Sequence, residues 1–198
     1  MFKPVSIEKN IKNLRYVSNK LVNIEWFIFF GTLLGYTREK NILKNDDDID
    51  IYVNIKSREA ILELFYNTEV LFDLSKKPNL GPYFLQGTRL LENEITYIDF
   101  YFYENDTKNS FIKEKNNFSG AWKLESNTMH VPIDIIYPIQ KAKLKDIKIF
   151  IPYKPIDCCE FLYGKDWKIP LSKSVDYFID IINNKPMLIK KNNLKIKI

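Results

Sequence analysis

The sequence predicts an α+β fold, in which a small mixed β-sheet carries acidic side chains on one face and packs helices against the other. Two observations support this prediction. Segments with the three- to four-residue period of helices lie between short stretches that alternate or are wholly apolar, as strands do. Two of those strand-like stretches, 48–53 and 95–103, carry aspartates among apolar neighbours. Because 198 residues can bury one substantial core, we expect a single domain over 1–198.

The N-terminal part of the chain predicts a helix, a strand and a second helix. Apolar residues recur at helical spacing from Ile7 to Leu21, which predicts an amphipathic helix. The aromatic stretch 26–30 is typical of a short buried strand. A Gly-Thr pair at 31–32 ends that strand, and 33–38 has the pattern of the first turns of a helix.

The middle of the chain predicts most of the sheet. Polar and apolar residues alternate over 48–53, as in a strand with one buried face. Ser57 is a suitable N-cap for the helix that follows. The apolar side of that helix is expected to carry Ala60, Ile61, Leu64 and Phe65. Stretches 82–90 and 95–103 predict two strands joined by a short polar link, with a polar loop at 104–110 after them.

The C-terminal part predicts shorter elements and a basic tail. Stretches 131–137 and 147–152 resemble strands, and 155–163 predicts a short helix that ends at Gly164. A terminal helix over 172–183 is predicted by its apolar spacing, with Ser172 as its cap. The helix and the tail together occupy about 172–198. Stretch 118–126 has weak periodicity and predicts no element.

The net charge of +5 is concentrated in that tail, which carries Lys190, Lys191, Lys195 and Lys197 and no acidic residue among them. We expect a solvated tail, and the alternative is attraction to an anionic surface such as lipid head groups. Nucleic acid is not an expected partner, because the sequence lacks clustered arginines with interleaved aromatic residues.

The two cysteines and the N-terminal residues indicate the cellular compartment in which the protein is expected. Cys158 and Cys159 are adjacent, a spacing that rarely closes a disulfide or forms half of a zinc site, which favours a reducing compartment. Residues 1–8 lack a basic segment followed by an apolar core, and 26–30 is too short to span a bilayer. We therefore expect a cytoplasmic protein, with the inner membrane surface as an alternative location.

Three aspartates are the candidate catalytic residues. Asp48 and Asp50 share one face of their predicted strand at a separation of roughly 6–7 Å along the chain. Two carboxylates so close repel each other unless a cation lies between them, and Mg²⁺ or Mn²⁺ with substrate phosphates suits such a pair. Asp99 lies between apolar neighbours on another predicted strand and supplies a third carboxylate. This third group could hold a second ion or accept the proton of an attacking hydroxyl.

Other residues are candidates for phosphate or substrate contacts. Gly31 and Thr32 lie where a strand gives way to a helix, so free backbone N–H groups there could approach a phosphate. His130 is the only histidine and is expected to be a structural or surface residue and not a general base. Three tryptophans could stack on a base or a choline head group, yet aromatic residues mostly fill cores, and only Trp122 lies in a polar stretch.

The motif G-T-L-L-G-Y-T-R at 31–38, followed by D-D-D-I-D at 46–50, closely resembles the signature of the LicD/fukutin family. The order of a Gly-Thr pair, a D-h-D strand and a later h-D-h strand, where h is apolar, is similar to the polymerase-β-type nucleotidyltransferase superfamily. The segment Y-G-K-D at 163–166 with Pro170 is similar to the family's C-terminal motif.

This resemblance implies a nucleotidyltransferase-like fold and a metal-dependent transfer reaction. The group transferred would be a phospho-alcohol, such as phosphocholine or ribitol phosphate, from a CDP-linked donor. The acceptor would be a glycan or a glycolipid, for example in the modification of a cell-surface polysaccharide. It also implies metal binding by Asp46, Asp48 and Asp50, with Asp99 matching the third superfamily acid. Asp47 is expected to face the other way and to be structural.

Substrate-binding roles are predicted for Gly31, Thr32, Arg38, Trp122 and Asp166. Arg38 could reach a donor phosphate or serve as an ordinary helix-end cation. Asp166 is expected to be a loop residue, and only the family resemblance makes it a candidate for substrate binding. Two other functions stay open: attachment of a nucleoside monophosphate to a protein, RNA or small molecule, and a catalytically silent nucleotide-binding module.

Overall fold

The computed structural model describes residues 5–72, 82–106, 111–115 and 128–170. Its helices are α1 (Ile7–Lys20), α2 (Phe30–Glu39), α3 (Arg58–Phe65), α4 (Ile133–Ile136) and α5 (Pro155–Tyr163), and a 3₁₀ turn spans Ile55–Ser57. Its strands are β1 (Trp26–Ile28), β2 (Asp48–Asn54), β3 (Val70–Phe72), β4 (Phe84–Leu91), β5 (Glu94–Asp106), β6 (Phe111–Lys115), β7 (Thr128–Pro132), β8 (Gln140–Leu144) and β9 (Ile147–Ile151).

A mixed sheet forms the centre of the fold. Its strand order is β1-β2-β5-β4-β3, and β6 pairs with the end of β5 and with β7. The β2–β5 pair is parallel, and the other pairs of this sheet are antiparallel. In the β2–β5 register, Asp50 lies opposite Asp99 and Asp48 lies opposite Tyr97. Since residues two apart share a face, this register brings carboxylates from two strands onto one face of the sheet.

The opposite face of the same strands is apolar and is covered by α1 and α3. Its central side chains are completely buried: Ile49, Ile51, Ile98 and Phe100. Phe65 of α3 packs against Phe100 with ring centroids 5.5 Å apart, and Tyr16 of α1 packs against Phe65 at 6.1 Å. The predicted α+β class, with a mixed sheet and acids clustered on one face, is therefore confirmed.

Helix α1 shows why the sequence forms these elements. The side chain of Ser6 accepts a hydrogen bond from the Lys9 backbone N–H at 3.3 Å, which caps the first turn. Ile11, Leu14 and Val17 are buried at helical spacing. The amphipathic helix predicted from this spacing is thus confirmed, as are the predicted strands at 48–53, 82–90, 95–103 and 147–152 and the helix at 155–163, within one to three residues at their ends.

Several local predictions are wrong. Strand β7 ends at Pro132, and the following apolar residues form helix α4 instead of continuing the strand, because a short apolar stretch does not distinguish a buried strand from a buried helical turn. Residues 104–106 extend β5 because they pair with β6. Ala60 and Leu64 of α3 are exposed, whereas Ile61 and Phe65 are buried. The side chain of Ser57 makes no capping bond, and strand β8 was not predicted.

Other predictions fall outside what the structure describes. Trp122, the stretch 118–126 and the C-terminal helix and tail at 172–198 lie outside the described residues. The backbone of His130 pairs with Lys113 in the β6–β7 ladder. In the part of the chain that is described, every helix is too short or too polar to cross a membrane. The single-domain organisation stays a prediction.

Candidate active site

Three carboxylates converge at the centre of the acidic face. Asp48, Asp50 and Asp99 each place an oxygen within 4.8 Å of the corresponding oxygens of the other two. Asp50 and Asp99 are buried, with 5% and 2% of their surface exposed, and Asp48 is half-buried. The structure therefore brings together the three acids that the sequence placed on two strands, in an arrangement suited to a hard divalent cation.

A second acidic group adjoins the first and shares Asp48 with it. Oxygens of Asp46, Asp47 and Asp48 also lie within 4.8 Å of one another, and both Asp46 and Asp47 are buried. The prediction that Asp47 faces away from the other acids is therefore wrong. Strand β2 begins only at Asp48, and Asn45 before it has a φ of 67°, so the alternation of a strand does not apply to Asp46 and Asp47.

The first turn of α2 holds Asp50 in place. The Thr32 backbone N–H donates to Asp50 Oδ2 at 3.2 Å, and the Asp50 backbone N–H donates to Thr32 Oγ1 at 2.8 Å. The backbone N–H of Phe29 also donates to the Asp50 carbonyl at 3.2 Å. Thr32 thus fixes both the main chain and the carboxylate of Asp50, whereas its role in phosphate binding stays a prediction.

Gly31 is required by the close approach of two carboxylates. A Cβ atom at this position would lie 3.0 Å from Asp46 Oδ2 and 3.2 Å from Asp50 Oδ2. Those distances are shorter than ordinary van der Waals contacts, so a side chain would displace one or both carboxylates. The conformational freedom of glycine matters less here than the absence of its side chain.

The residue before Gly31 is strained. Phe30 has a φ of 41°, a conformation that costs a bulky residue roughly 1–3 kcal/mol. Its ring packs against Tyr101 and Phe29 with centroid distances of 4.8 Å and 5.1 Å. These aromatic contacts help to offset the strain and keep the start of α2 against the acids.

Asp99 is held by one residue of the neighbouring strand β4 and by one of its own strand. Gln86 on β4 donates from Nε2 to Asp99 Oδ1 at 2.9 Å, and the Tyr101 hydroxyl donates to Asp99 Oδ2 at 3.3 Å. Neither Gln86 nor Tyr101 was predicted as a site residue. The sequence of 82–90 predicts a strand but does not single out Gln86, and only the strand register shows that it faces Asp99.

The electrostatics of the cluster centre on Asp48. Burial of its carboxyl group raises the pKa of Asp48 well above the usual value of 3.8, and the nearby charges of Asp50, Asp99, Asp46 and Asp47 raise the pKa further. No group in the described ranges donates a hydrogen bond to this carboxylate. A bound divalent cation would supply the missing positive charge, so the residues present fit a metal ion.

The remaining predicted site residues lie apart from the acids. Arg38 is in the last turn of α2 and pairs with Glu39, with an Nη2–Oε1 distance of 2.7 Å. Asp166 is exposed in the turn after α5, where its carbonyl accepts a hydrogen bond from Ile169. No hydrogen bond or ion pair within the described residues joins Arg38 or Asp166 to the acidic cluster, and their substrate roles stay predictions. Trp26 and Trp167 are buried, as expected of core residues.

Two solved structures resemble the fold at low sequence identity. The lincosamide antibiotic adenylyltransferase LnuA in its lincomycin-bound form is 16% identical, covers 91% of this chain and 96% of its own, and has a TM-score of 0.49. A putative nucleotidyltransferase from Thermotoga maritima is 15% identical, covers 75% and 80% of the two chains, and has a TM-score of 0.41. Both TM-scores are too low to establish a common fold.

Curated relatives share more of the sequence. Ribitol-5-phosphate transferase FKTN from Homo sapiens is 22% identical over 170 residues, which are 84% of this chain and 35% of the relative. The mouse (Mus musculus) protein of the same name is 22% identical over 163 residues, which are 82% of this chain and 33% of the relative. The chain therefore spans about a third of the length of these relatives.

The family model described as LicD/FKTN/FKRP, nucleotidyltransferase domain, matches residues 23–154. This range contains α2, both parallel strands and all five clustered aspartates. It includes Gln86 and Tyr101 as well, and it stops before Asp166. The resemblance carried by the motifs at 31–38 and 46–50 is thereby confirmed, together with the prediction of a transferase-type domain. The chain belongs to the LicD/FKTN/FKRP family of nucleotidyltransferase domains.

Proposed function

We propose that this chain transfers a phospho-alcohol, phosphocholine- or alditol-phosphate-like, from a CDP-activated donor to a hydroxyl of a glycan or glycolipid. One observation carries the proposal: three carboxylates from two adjacent parallel strands lie within 4.8 Å of one another. Family membership supports phosphoryl-type transfer, and the name of the matched relatives, ribitol-5-phosphate transferase, supports an alcohol phosphate as the group transferred.

Asp48, Asp50 and Asp99 are the residues that would hold Mg²⁺ or Mn²⁺, with Asp46 next to them. Such an ion supplies positive charge that offsets the charge developing on donor phosphate oxygens. Thr32 keeps Asp50 oriented throughout, since both of its hydrogen bonds to that residue are internal to the protein. The strained start of α2 places Gly31, which has no side chain, directly beside two of the carboxylates.

The transfer itself would be an in-line displacement at phosphorus. The acceptor oxygen forms a bond to the phosphorus of the alcohol phosphate as the bond from that phosphorus to CMP breaks. Asp99 is proposed to activate the acceptor hydroxyl, either by taking its proton or by holding a second ion that favours loss of this proton to water. CMP leaves with the electron pair of the broken bond. Arg38, Trp122 and Asp166 are proposed as further contacts to the donor or acceptor.

The location of the reaction belongs to the same proposal. We propose a cytoplasmic site of action, with the inner membrane surface as the alternative, because a net charge of +5 favours attraction to anionic lipid head groups. Nucleic acid is not proposed as a partner.

The test is incubation of the full chain with a panel of CDP-alcohols and Mg²⁺, measuring released CMP. We expect one donor to yield CMP and the variants Asp48→Asn and Asp50→Asn to release almost none. Asp157→Asn makes the same chemical change on the exposed side of α5 and is expected to keep wild-type activity. Equal CMP release by wild type and both site variants would contradict the proposal. Nucleotide label retained on the acceptor would indicate nucleotidyl transfer instead, and CDP binding without CMP release from any donor would indicate a catalytically silent nucleotide-binding module.

A further inference from the structure

We infer that Gln86 and Tyr101 are positioning residues that fix the carboxylate of Asp99 for metal binding, an inference that rests on the proposed function. Both oxygens of Asp99 receive a hydrogen bond from this chain: Oδ1 from Gln86 and Oδ2 from Tyr101. An oxygen of the same carboxylate lies within 4.8 Å of oxygens of Asp48 and Asp50. The two donors therefore restrict the orientation in which Asp99 meets the other acids.

The register of the sheet makes the Gln86 contact specific. Gln86 on β4 lies directly opposite Asp99 on β5, and Asp99 in turn lies opposite Asp50 on β2. Side chains directly opposite on one face are separated by about 5 Å at Cβ, so the amide of Gln86 reaches one carboxylate oxygen of Asp99. Asp99 thus lies between Asp50, which would bind the same metal ion, and Gln86, which is an uncharged hydrogen-bond donor.

Strand β4, which carries Gln86, packs closely against side chains of β3 on its apolar face. Gly87, the next residue, faces the apolar side, where a Cβ atom would lie only 2.7 Å from Cγ1 of Val70 and 3.2 Å from Cε1 of Phe72. The side chains of Val70 and Phe72 on the paired strand β3 therefore cover Gly87 on the apolar face, next to Gln86. Gln86 is half-buried, so its amide is partly shielded from competing water.

Tyr101 provides the second, longer contact. Its side chain is 2% exposed, and its ring packs against Phe30 and Phe84 with centroid distances of 4.8 Å and 5.2 Å. The ring is therefore fixed even without its hydroxyl. Because the hydrogen bond from Tyr101 measures 3.3 Å and that from Gln86 measures 2.9 Å, we expect Gln86 to have the larger effect.

The chemistry of the two donors suits this role. A carboxylate that binds a metal ion must stay an acceptor, and an amide N–H can donate to it without adding charge or competing as a ligand. Groups that orient metal ligands in this way typically change metal affinity or activity by roughly 10–100-fold when they are removed.

The experiment measures Mn²⁺ binding to the full chain without donor, by the electron paramagnetic resonance signal of free Mn²⁺. Gln86→Met keeps the length of the side chain and removes the donor, and Tyr101→Phe removes only the hydroxyl. We expect Mn²⁺ affinity to fall by roughly 10–100-fold in Gln86→Met and by less in Tyr101→Phe, with cooperative thermal melting retained. CMP release by Gln86→Met should then recover as the Mn²⁺ concentration is raised. A purely structural role of Gln86 would not produce this recovery.

Thr88→Val is the matched control, because Thr88 lies on the same strand and the same face one row away, opposite Tyr97. It should bind Mn²⁺ as wild type does. Wild-type Mn²⁺ affinity in folded Gln86→Met and Tyr101→Phe, combined with lost affinity in Asp99→Asn, would overturn this inference and leave the proposed function standing. Failure of the wild-type chain to bind Mn²⁺ would overturn both. If Gln86→Met does not fold, the Mn²⁺ affinity of Tyr101→Phe relative to wild type decides whether the inference holds.

Discussion

The two faces of the β2–β5 pair differ in physical character although they are built from alternating residues of the same strands. One face buries Ile51 and Phe100 completely beneath helices, and the other gathers the carboxylates of Asp48, Asp50 and Asp99. Burying each large apolar side chain stabilises the fold by roughly 1.5–3 kcal/mol, whereas clustering carboxylates costs free energy. The comparison shows that the apolar face fixes the register that the acidic face needs, because a shift of one residue would exchange the two faces.

The largest expected effect comes from the apolar face. Phe100→Ala removes a fully buried ring that packs against Phe65 and Phe72, so the free energy of unfolding should fall by about 3–5 kcal/mol. Urea denaturation followed by circular dichroism measures this loss. A loss no larger than that caused by an exposed substitution such as Leu90→Ala would contradict the assignment of this face to the core.

On the acidic face, a substitution should reduce activity without reducing stability. Asp48→Asn replaces a carboxyl group whose ionisation is opposed by burial and by four neighbouring carboxylates, so the metal-free variant should be at least as stable as the metal-free wild type. Its CMP release should nevertheless fall on the order of 10³-fold, which corresponds to about 4 kcal/mol of transition-state stabilisation. Thermal melting and the CMP assay on the same preparation measure both quantities. A variant that loses stability together with activity would show that Asp48 is structural.

An ion pair outside both faces should give the smallest effect. Arg15 on α1 forms two hydrogen bonds to Asp146 in the β8–β9 turn, with Nη–Oδ distances of 2.6 Å and 2.7 Å, and both side chains are solvent-exposed. The hydrogen bond from Arg15 lowers the pKa of Asp146 from 3.8 to about 2.

A carboxyl group with a lowered folded-state pKa stabilises the protein above its unfolded pKa, and this stability is lost as the pH falls through the folded value. Arg15→Gln should therefore lower the urea midpoint slightly at neutral pH, and the difference from wild type should shrink between pH 3.8 and about pH 2. A difference that grows over this interval would contradict the pairing.

The contrast between the two faces also explains what the sequence could predict. Period-two alternation placed Asp48 and Asp50 on one face and put apolar residues such as Ile49 on the other, because this period is local. The same alternation around Asp99 identified a third acid. The local pattern was therefore sufficient for the fold class and for three of the clustered carboxylates.

Features that depend on pairing between distant strands could not be predicted. The contact of Gln86 with Asp99 depends on the antiparallel β4–β5 register, and the approach of Asp50 to Asp99 depends on a parallel pairing across residues that are far apart in sequence. Asp47 was misplaced because a left-handed residue, Asn45, precedes the strand and interrupts its alternation. Local periodicity carries no information on either kind of feature.

The central claim is that carboxylates from two strands hold one divalent ion site, and calorimetric titration of the metal-free full chain with Mn²⁺ tests it most directly. We expect wild type and Asp157→Asn to bind Mn²⁺ with the same affinity, and Asp48→Asn and Asp99→Asn each to bind it much more weakly, although these two aspartates come from different strands. Unchanged Mn²⁺ affinity in Asp99→Asn, or no binding by the wild type, would contradict the claim.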